Sequence, residues 1–91
     1  MKKIEVRTGV ALIPEQCRAA RGLLGWSQAD LSEQAFVAKQ TLTDFESGKR
    51  SPYDRTLVDI RAALEKGGVE FIAENGGGPG VRLAKRRKNA R

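Results

Sequence analysis

The chain has 91 residues, of which 40% are hydrophobic and only five are Phe, Trp or Tyr, so we expect one small, mostly aliphatic core and no second domain. The net charge is +6. No apolar run approaches the roughly 18 residues of a membrane span, and charges interrupt the N-terminus too often for a secretory signal. These two observations predict a cytoplasmic protein. One cysteine and no histidine leave no internal disulfide and almost no zinc ligands, so we predict no metal and no cofactor.

The first part of the chain is predicted to contain an extended segment followed by a helix. Ile4 and Val6 alternate with charged neighbours within residues 1–13 and indicate a possible short strand. A proline then suits the first helical position, apolar residues recur at helical spacing, and a glycine is a stop signal. We therefore expect a first helix over residues 14–24, in which Cys17 is a small buried core residue.

Two short helices are predicted next, separated by about three residues. Ser27 opens the second helix, over about residues 28–35, and Asp30 resembles the acidic half of a capping box. The third helix is expected over about residues 39–47 and ends at a glycine. Two helices at this spacing are typical of a helix-turn-helix, in which the second helix projects its outer face into the major groove.

A fourth helix, a hairpin and a basic tail complete the predicted organisation. Asp54 is the expected N-cap of a helix over about residues 55–66. Residues 69–72 and 81–83 are predicted to pair as a β-hairpin around a glycine-rich loop. The last ten residues contain six basic and no acidic side chains, whereas the rest of the chain contains eleven of each sign. The tail is therefore either a solvated segment that aids solubility or a contact for nucleic-acid phosphates.

The two short helices resemble the phage repressor and Cro class of regulators, the XRE family. The motif W-S-Q-x-x-L begins at Trp26, an apolar residue lies in the turn at Val37, T-L-x-x-F-E-x-G-x-R-x-P begins at Thr41, and T-L-x-x-I-x-x-A-L begins at Thr56. The resemblance extends over about residues 14–66. These motifs are specific in combination, although no single one is.

The resemblance implies a mainly α fold: a four-helix lambda-repressor-like helix-turn-helix domain with a short C-terminal β-hairpin and a possible N-terminal strand. We accordingly expect an N-terminal extended segment (1–13), a DNA-binding domain (14–66), a β-hairpin extension (67–84) and a basic tail (85–91). The hairpin sequence also resembles the C-terminal extension of small bacterial regulators of this class.

The resemblance also implies roles for the polar residues. The base-reading positions of the recognition helix, about residues 38–47, are occupied by Lys39, Gln40, Thr43 and Asp44. Gln can bond adenine at two points, Lys can reach guanine, and the Thr methyl can contact a thymine methyl. Gln28 is placed against a phosphate at the start of the second helix. The basic residues expected at phosphates are Lys49, Arg50, Arg82, Lys85, Arg86, Arg87 and Lys88.

Other motif positions have structural roles in the family. Arg21 and Glu46 match a pair that the family uses as an internal salt bridge between the first and third helices, which would fix the angle of the recognition helix if it is partly buried. The apolar members of the motif are predicted to lie in the core, namely Trp26, Leu31, Val37, Leu42 and Phe45.

Three positions depart from the family pattern. Phe36 replaces a glycine in the turn, which suggests a different turn geometry or a packed aromatic ring. Ala38 replaces a Ser or Thr and cannot cap the third helix. Asp44 places a negative charge on the groove face, although it could accept a hydrogen bond from a cytosine amino group.

These observations predict sequence-specific binding of double-stranded DNA by a small transcription regulator of bacterial or phage type. We expect a homodimer on a two-fold site, joined through residues 69–72 or through the segment near Ile4 and Val6. The alternative is a helix-turn-helix that serves as a protein-binding module, such as an antiactivator or antitoxin; the neutral charge of residues 1–81 and Asp44 favour it. An enzyme is not expected, because no histidine or recognisable nucleophile–base pair is present and the glycine-rich loop lacks a phosphate-loop ending.

Overall fold

A computed structural model describes residues 12–85, in which four helices precede a two-stranded hairpin. The elements are α1 (Pro14–Leu24), α2 (Gln28–Ala35), α3 (Lys39–Glu46), α4 (Asp54–Gly67), β1 (Val69–Ile72) and β2 (Gly80–Leu83). The mainly α class with a C-terminal hairpin is thus confirmed, whereas the predicted N-terminal strand lies outside the described residues. Among residues 12–85, no helix is both long and apolar enough to cross a bilayer.

The helix ends follow from local signals in the sequence. Ser27 and Asp30 form a reciprocal capping box at α2, with the Asp30 N–H donating to Ser27 Oγ (3.0 Å) and the Ser27 N–H donating to Asp30 Oδ2 (2.9 Å). The expected N-cap of α4 is wrong by one residue, because the Leu57 N–H already donates to the Tyr53 carbonyl (3.1 Å). Asp54 is instead the first residue of α4, where its negative charge interacts favourably with the helix dipole.

The turn between α2 and α3 contains a strained aromatic residue. Phe36 has φ 58° and ψ 45°, in the left-handed region, and its N–H donates to the Ser32 carbonyl. Its side chain is 93% exposed. Both expectations for this position are therefore wrong: the backbone adopts a left-handed conformation that glycine adopts readily, and the ring lies in solvent rather than in a packed site. Ala38 is the N-cap of α3 and makes no side-chain capping bond, as predicted.

The core lies between the four helices and the first strand. Its completely buried side chains include Cys17, Leu31, Leu42, Ile60 and Leu64. Phe45 is also buried, and Trp26 and Val37 pack against the core from its edge, so the apolar motif residues have their predicted place. Three apolar residues of the helices are exposed, namely Leu23, Ala29 and Val58. Each lies at the edge of an apolar face, where spacing alone does not determine burial.

The hairpin packs against α1 and α4. Its strands are antiparallel, with Val69 opposite Leu83 and Phe71 opposite Val81. The buried side chain of Gln16 joins the hairpin to α1: its Nε2 donates to the Gly80 carbonyl (2.9 Å). The hairpin is therefore part of the folded unit that supports the helix-turn-helix.

Candidate nucleic-acid interface

The helix α3 has one buried and one outward face. Its buried residues are Leu42, Phe45 and Glu46. The four expected base-reading residues are on the other side, with Lys39 and Gln40 exposed and Thr43 and Asp44 half-buried. Residues at positions i, i+1, i+4 and i+5 share one side of a helix, so the structure brings these four side chains together on one surface. We call this surface the outer face of α3.

Glu46 fixes α3 to the two preceding helices. The Arg21 guanidinium donates to both carboxylate oxygens, from Nε to Oε2 (2.8 Å) and from Nη2 to Oε1 (2.7 Å). Cys17 Sγ donates to Oε2 (3.1 Å) and Gln28 Nε2 donates to Oε1 (3.0 Å). Arg18 donates from Nη1 to the Glu46 main-chain carbonyl at the C-terminus of α3. The Glu46 side chain is 3% exposed, so this is a buried anchor rather than a surface ion pair.

The environment of Glu46 determines the ionisation of its neighbours. Burial alone would raise the pKa of the Glu46 carboxyl, but hydrogen bonds from Arg21, Gln28 and Cys17 outweigh it and hold that pKa below its ordinary value. The hydrogen bond to Glu46 raises the pKa of Arg21. Burial, followed by the hydrogen bond and charge of Glu46, raises the pKa of the Cys17 thiol far above its ordinary value. Cys17 therefore stays a protonated donor and not a reactive thiolate.

The polar side chains on the outer face are bonded to one another and to α2. Gln40 Nε2 donates to Asp44 Oδ1 (2.9 Å), one turn further along the helix. Thr43 Oγ1 lies 3.0 Å from Gln28 Oε1 and 3.1 Å from the Lys39 carbonyl. The Asp44 carboxylate thus has a neutral partner within the protein. The Gln40 amide has a second N–H and its Oε1 available for two hydrogen bonds with a base.

The Gln28 side chain is hydrogen-bonded to other residues of the protein, and its role at a phosphate stays a prediction. Gln28 is the first residue of α2 and is half-buried. Its Oε1 is bonded to Thr43 and its Nε2 to Glu46, both at 3.0 Å. Only its backbone N–H remains at the helix N-terminus, where such groups commonly contact phosphates.

The basic residues expected at phosphates lie in two regions. Lys49 and Arg50 are exposed just after α3, and their backbone N–H groups both donate to the Asp44 main-chain carbonyl (2.9 and 3.2 Å), which joins this loop to the C-terminal end of α3. Arg82 is on the hairpin, where its Nε donates to Glu70 Oε1 (3.0 Å) on the opposite strand, and both side chains are exposed. Lys85 is exposed, and the positions of Arg86, Arg87 and Lys88 lie outside the described residues.

Comparison with known proteins bears on the identity of this fold. A family model described as helix-turn-helix matches residues 18–71, which include all of α2, the turn and α3. The chain belongs to this helix-turn-helix family. The XRE-like resemblance is thereby confirmed. Multiprotein-bridging factor 1 of Schizosaccharomyces pombe is 30% identical over 67 residues, which are 74% of this chain. The chain spans 43% of that relative's length.

The sequence indicated part of the anchor in the helix-turn-helix protein and missed the rest. Cys17 and Arg18 precede Arg21 by four and three positions, so they lie on the same side of α1 and reach the same glutamate. The spacing of these residues in the sequence could therefore have predicted that they contact Glu46. The bonds of Gln28 to Thr43 and Glu46 had no such signal, because they depend on how α2 crosses α3.

Proposed function

We propose that this chain is a sequence-specific binder of double-stranded DNA, a small transcription regulator of bacterial or phage type whose α3 enters the major groove. The observation that carries this proposal is the two-sided character of α3. Its inner face is anchored by the buried Glu46, while its outer face presents four polar side chains. A groove-reading helix needs both a fixed angle and an accessible polar surface.

The chemistry of the outer face supports base contacts. Gln40 can bond adenine at two points through its second N–H and its Oε1, and Lys39 can reach guanine acceptors. Asp44 can accept from a cytosine amino group, and its charge would weaken binding wherever a phosphate approaches it. Lys49 and Arg50, exposed beside this face, are suited to phosphates.

A gel mobility shift with random-sequence duplex at low salt tests DNA binding. We expect a shift whose log-affinity falls linearly with log-salt. Lys49→Ala should flatten this slope by about 0.9, because one phosphate contact is lost. Lys66→Ala removes the same charge from an exposed site at the end of α4 and should leave the slope unchanged. Absence of a shift at low salt would contradict the proposal.

We further propose that the protein acts as a homodimer. Each chain supplies one recognition helix, and helix-turn-helix dimers read half-sites about 34 Å apart. In the described part of the chain the sheet has two strands, so β1 has one edge without a strand partner. Its Val69 side chain is buried in the core, so the strand offers a backbone edge rather than an apolar face to a second copy. Light scattering should give a dimer on DNA at micromolar concentration; a monomer there would contradict this.

A second candidate function is protein binding by the helix-turn-helix, and Phe36 favours it. A large aromatic side chain that is 93% exposed at a strained φ is costly for the isolated protein, and such residues concentrate at functional sites. The name of the Schizosaccharomyces pombe relative, a multiprotein-bridging factor, is consistent with protein contacts. A chain with this role alone would not shift duplex DNA at low salt. If DNA is the ligand, Phe36→Asn should leave duplex affinity unchanged.

A further inference from the structure

The amide of Gln28 has a defined orientation, and this orientation determines the direction of its hydrogen bond with Thr43. The Glu46 carboxylate can only accept hydrogen bonds, so the NH₂ end of the Gln28 amide must face it (3.0 Å). The carbonyl end, Oε1, therefore faces Thr43 (3.0 Å). A carbonyl oxygen only accepts, so Thr43 must donate. A continuous series of hydrogen bonds thus runs from Arg21 through Glu46 and Gln28 to the outer face of α3.

The Thr43 hydroxyl is consequently committed to acceptors within the protein. It has one proton, and both acceptors within reach, Gln28 Oε1 and the Lys39 carbonyl, belong to the protein. A threonine in a helix ordinarily divides between two rotamers. The observed rotamer places the hydroxyl within reach of both acceptors, and Gln28 is the one of the two that lies on α2. The protein thus binds the hydroxyl branch of Thr43, and the methyl group is its other branch.

We propose that Gln28 is a positioning residue that holds Thr43 as an apolar reader of a thymine 5-methyl group. This inference rests on the proposed function, in which the outer face of α3 enters the major groove. Thymine is the only standard base that presents a methyl group there. A Thr43 hydroxyl that donates inward cannot also donate to the acceptors of guanine or adenine, and it can only accept from a base amino group. Thymine has no amino group in the major groove, so the contact that Thr43 can make with thymine is the apolar one.

The test uses the duplex that the wild-type chain selects from a random library, with each thymine replaced singly by uracil. Uracil lacks only the methyl group and leaves the base pairing unchanged. At one position, wild-type affinity should fall about four-fold, the effect of one buried methyl group. Thr43→Ser, which keeps the hydroxyl, should bind the thymine duplex about four-fold more weakly and should no longer distinguish uracil at that position. Thr41→Ser is the matched control: Thr41 lies about 200° away around α3 and should retain the full discrimination.

Gln28→Met tests the positioning role, since methionine has similar length and no amide. The variant should still bind duplex DNA, but its discrimination between thymine and uracil should fall toward unity although Thr43 is present. Circular dichroism at the assay temperature establishes whether the Gln28→Met variant is folded. The uracil series on the wild-type protein tests the methyl contact without any variant. Equal wild-type affinity for every uracil duplex, or full discrimination in folded Gln28→Met, would overturn the inference while leaving the proposed function intact. Failure to select any duplex would overturn both.

Discussion

Arg21 and Glu46 form a two-point ion pair between α1 and α3, with N–O distances of 2.8 and 2.7 Å. The glutamate is almost completely buried and the arginine about one-fifth exposed. The edge of the guanidinium lies against the edge of the carboxylate with two hydrogen bonds between them. An arginine–carboxylate contact is strongest and most directional in this geometry. Because α3 has only eight residues, this pair does much to determine the angle at which its outer face is presented.

Removal of the Glu46 carboxylate should therefore destabilise the fold. Glu46→Ala leaves the Arg21 charge unpaired and deprives Cys17 and Gln28 of their acceptor. We expect the free energy of unfolding, measured by chemical denaturation, to fall by about 3–5 kcal/mol. Glu65→Ala is the control, because Glu65 forms an exposed ion pair with Arg61 one turn away on α4 and should cost under about 1 kcal/mol. Equal losses in the two variants would contradict a buried anchor.

The lowered pKa of Glu46 predicts a dependence of stability on pH. The folded-state pKa lies below the unfolded-state value, so the unfolded chain takes up the proton first as pH falls. The stabilisation is complete above the ordinary carboxyl pKa of about 4.3 and is lost as pH falls through the lower folded value. In Glu46→Gln this position does not titrate, so the fall in unfolding free energy below that pH should be shallower than in the wild type. Parallel curves for the two proteins would exclude this contribution.

Two helical glycines offer a matched test of the packing. A Cβ added at Gly67 would lie 2.7 and 2.8 Å from ring atoms of Trp26 and 2.9 Å from Leu24 Cδ1, whereas a Cβ at Gly22 would meet nothing within 4 Å. Gly67→Ala should lower the free energy of unfolding by about 1–3 kcal/mol, since the indole has to move. Gly22→Ala should raise it by up to about 1 kcal/mol, because alanine favours the helix. Thermal or denaturant melts of both variants would measure this, and a stability gain in Gly67→Ala as well as in Gly22→Ala would show that the Trp26 contact is not tight.

The sequence was sufficient for the elements and insufficient for several side-chain partners. The bounds of α1 and α2 follow from local capping and stop signals, such as Ser27 with Asp30, that act within a few residues. The inward orientation of Gln28 could not be predicted, because it depends on the crossing of α2 and α3. The Arg82–Glu70 pair depends on the hairpin register, which the long glycine-rich loop does not specify. For Phe36 the sequence predicts a different turn geometry or a packed ring, and local propensity gives no reason for a left-handed, exposed aromatic residue at this position.

The basic tail makes a prediction about salt dependence. Truncation after Ala84 removes five of the six basic residues in the last ten positions and retains Arg82 with its Glu70 partner. If three of the five contact phosphates, the slope of log-affinity against log-salt should flatten by about 2.7, with base preference largely unchanged. Anisotropy titrations of a labelled duplex at several salt concentrations give this slope. An unchanged slope in the folded, truncated chain would make the tail a solubility feature.

Base reading by the outer face of α3 is tested most directly by selection of duplexes from a random library. We predict that the wild-type chain enriches a defined motif. Gln40→Ala should bind the best site about 1–3 kcal/mol more weakly and lose its preference at one base position. Gln34→Ala, an exposed glutamine on α2, is the control and should enrich the unchanged motif. A wild-type selection that enriches no motif, or a Gln40→Ala variant that binds all sequences equally more weakly, would contradict base reading by this face.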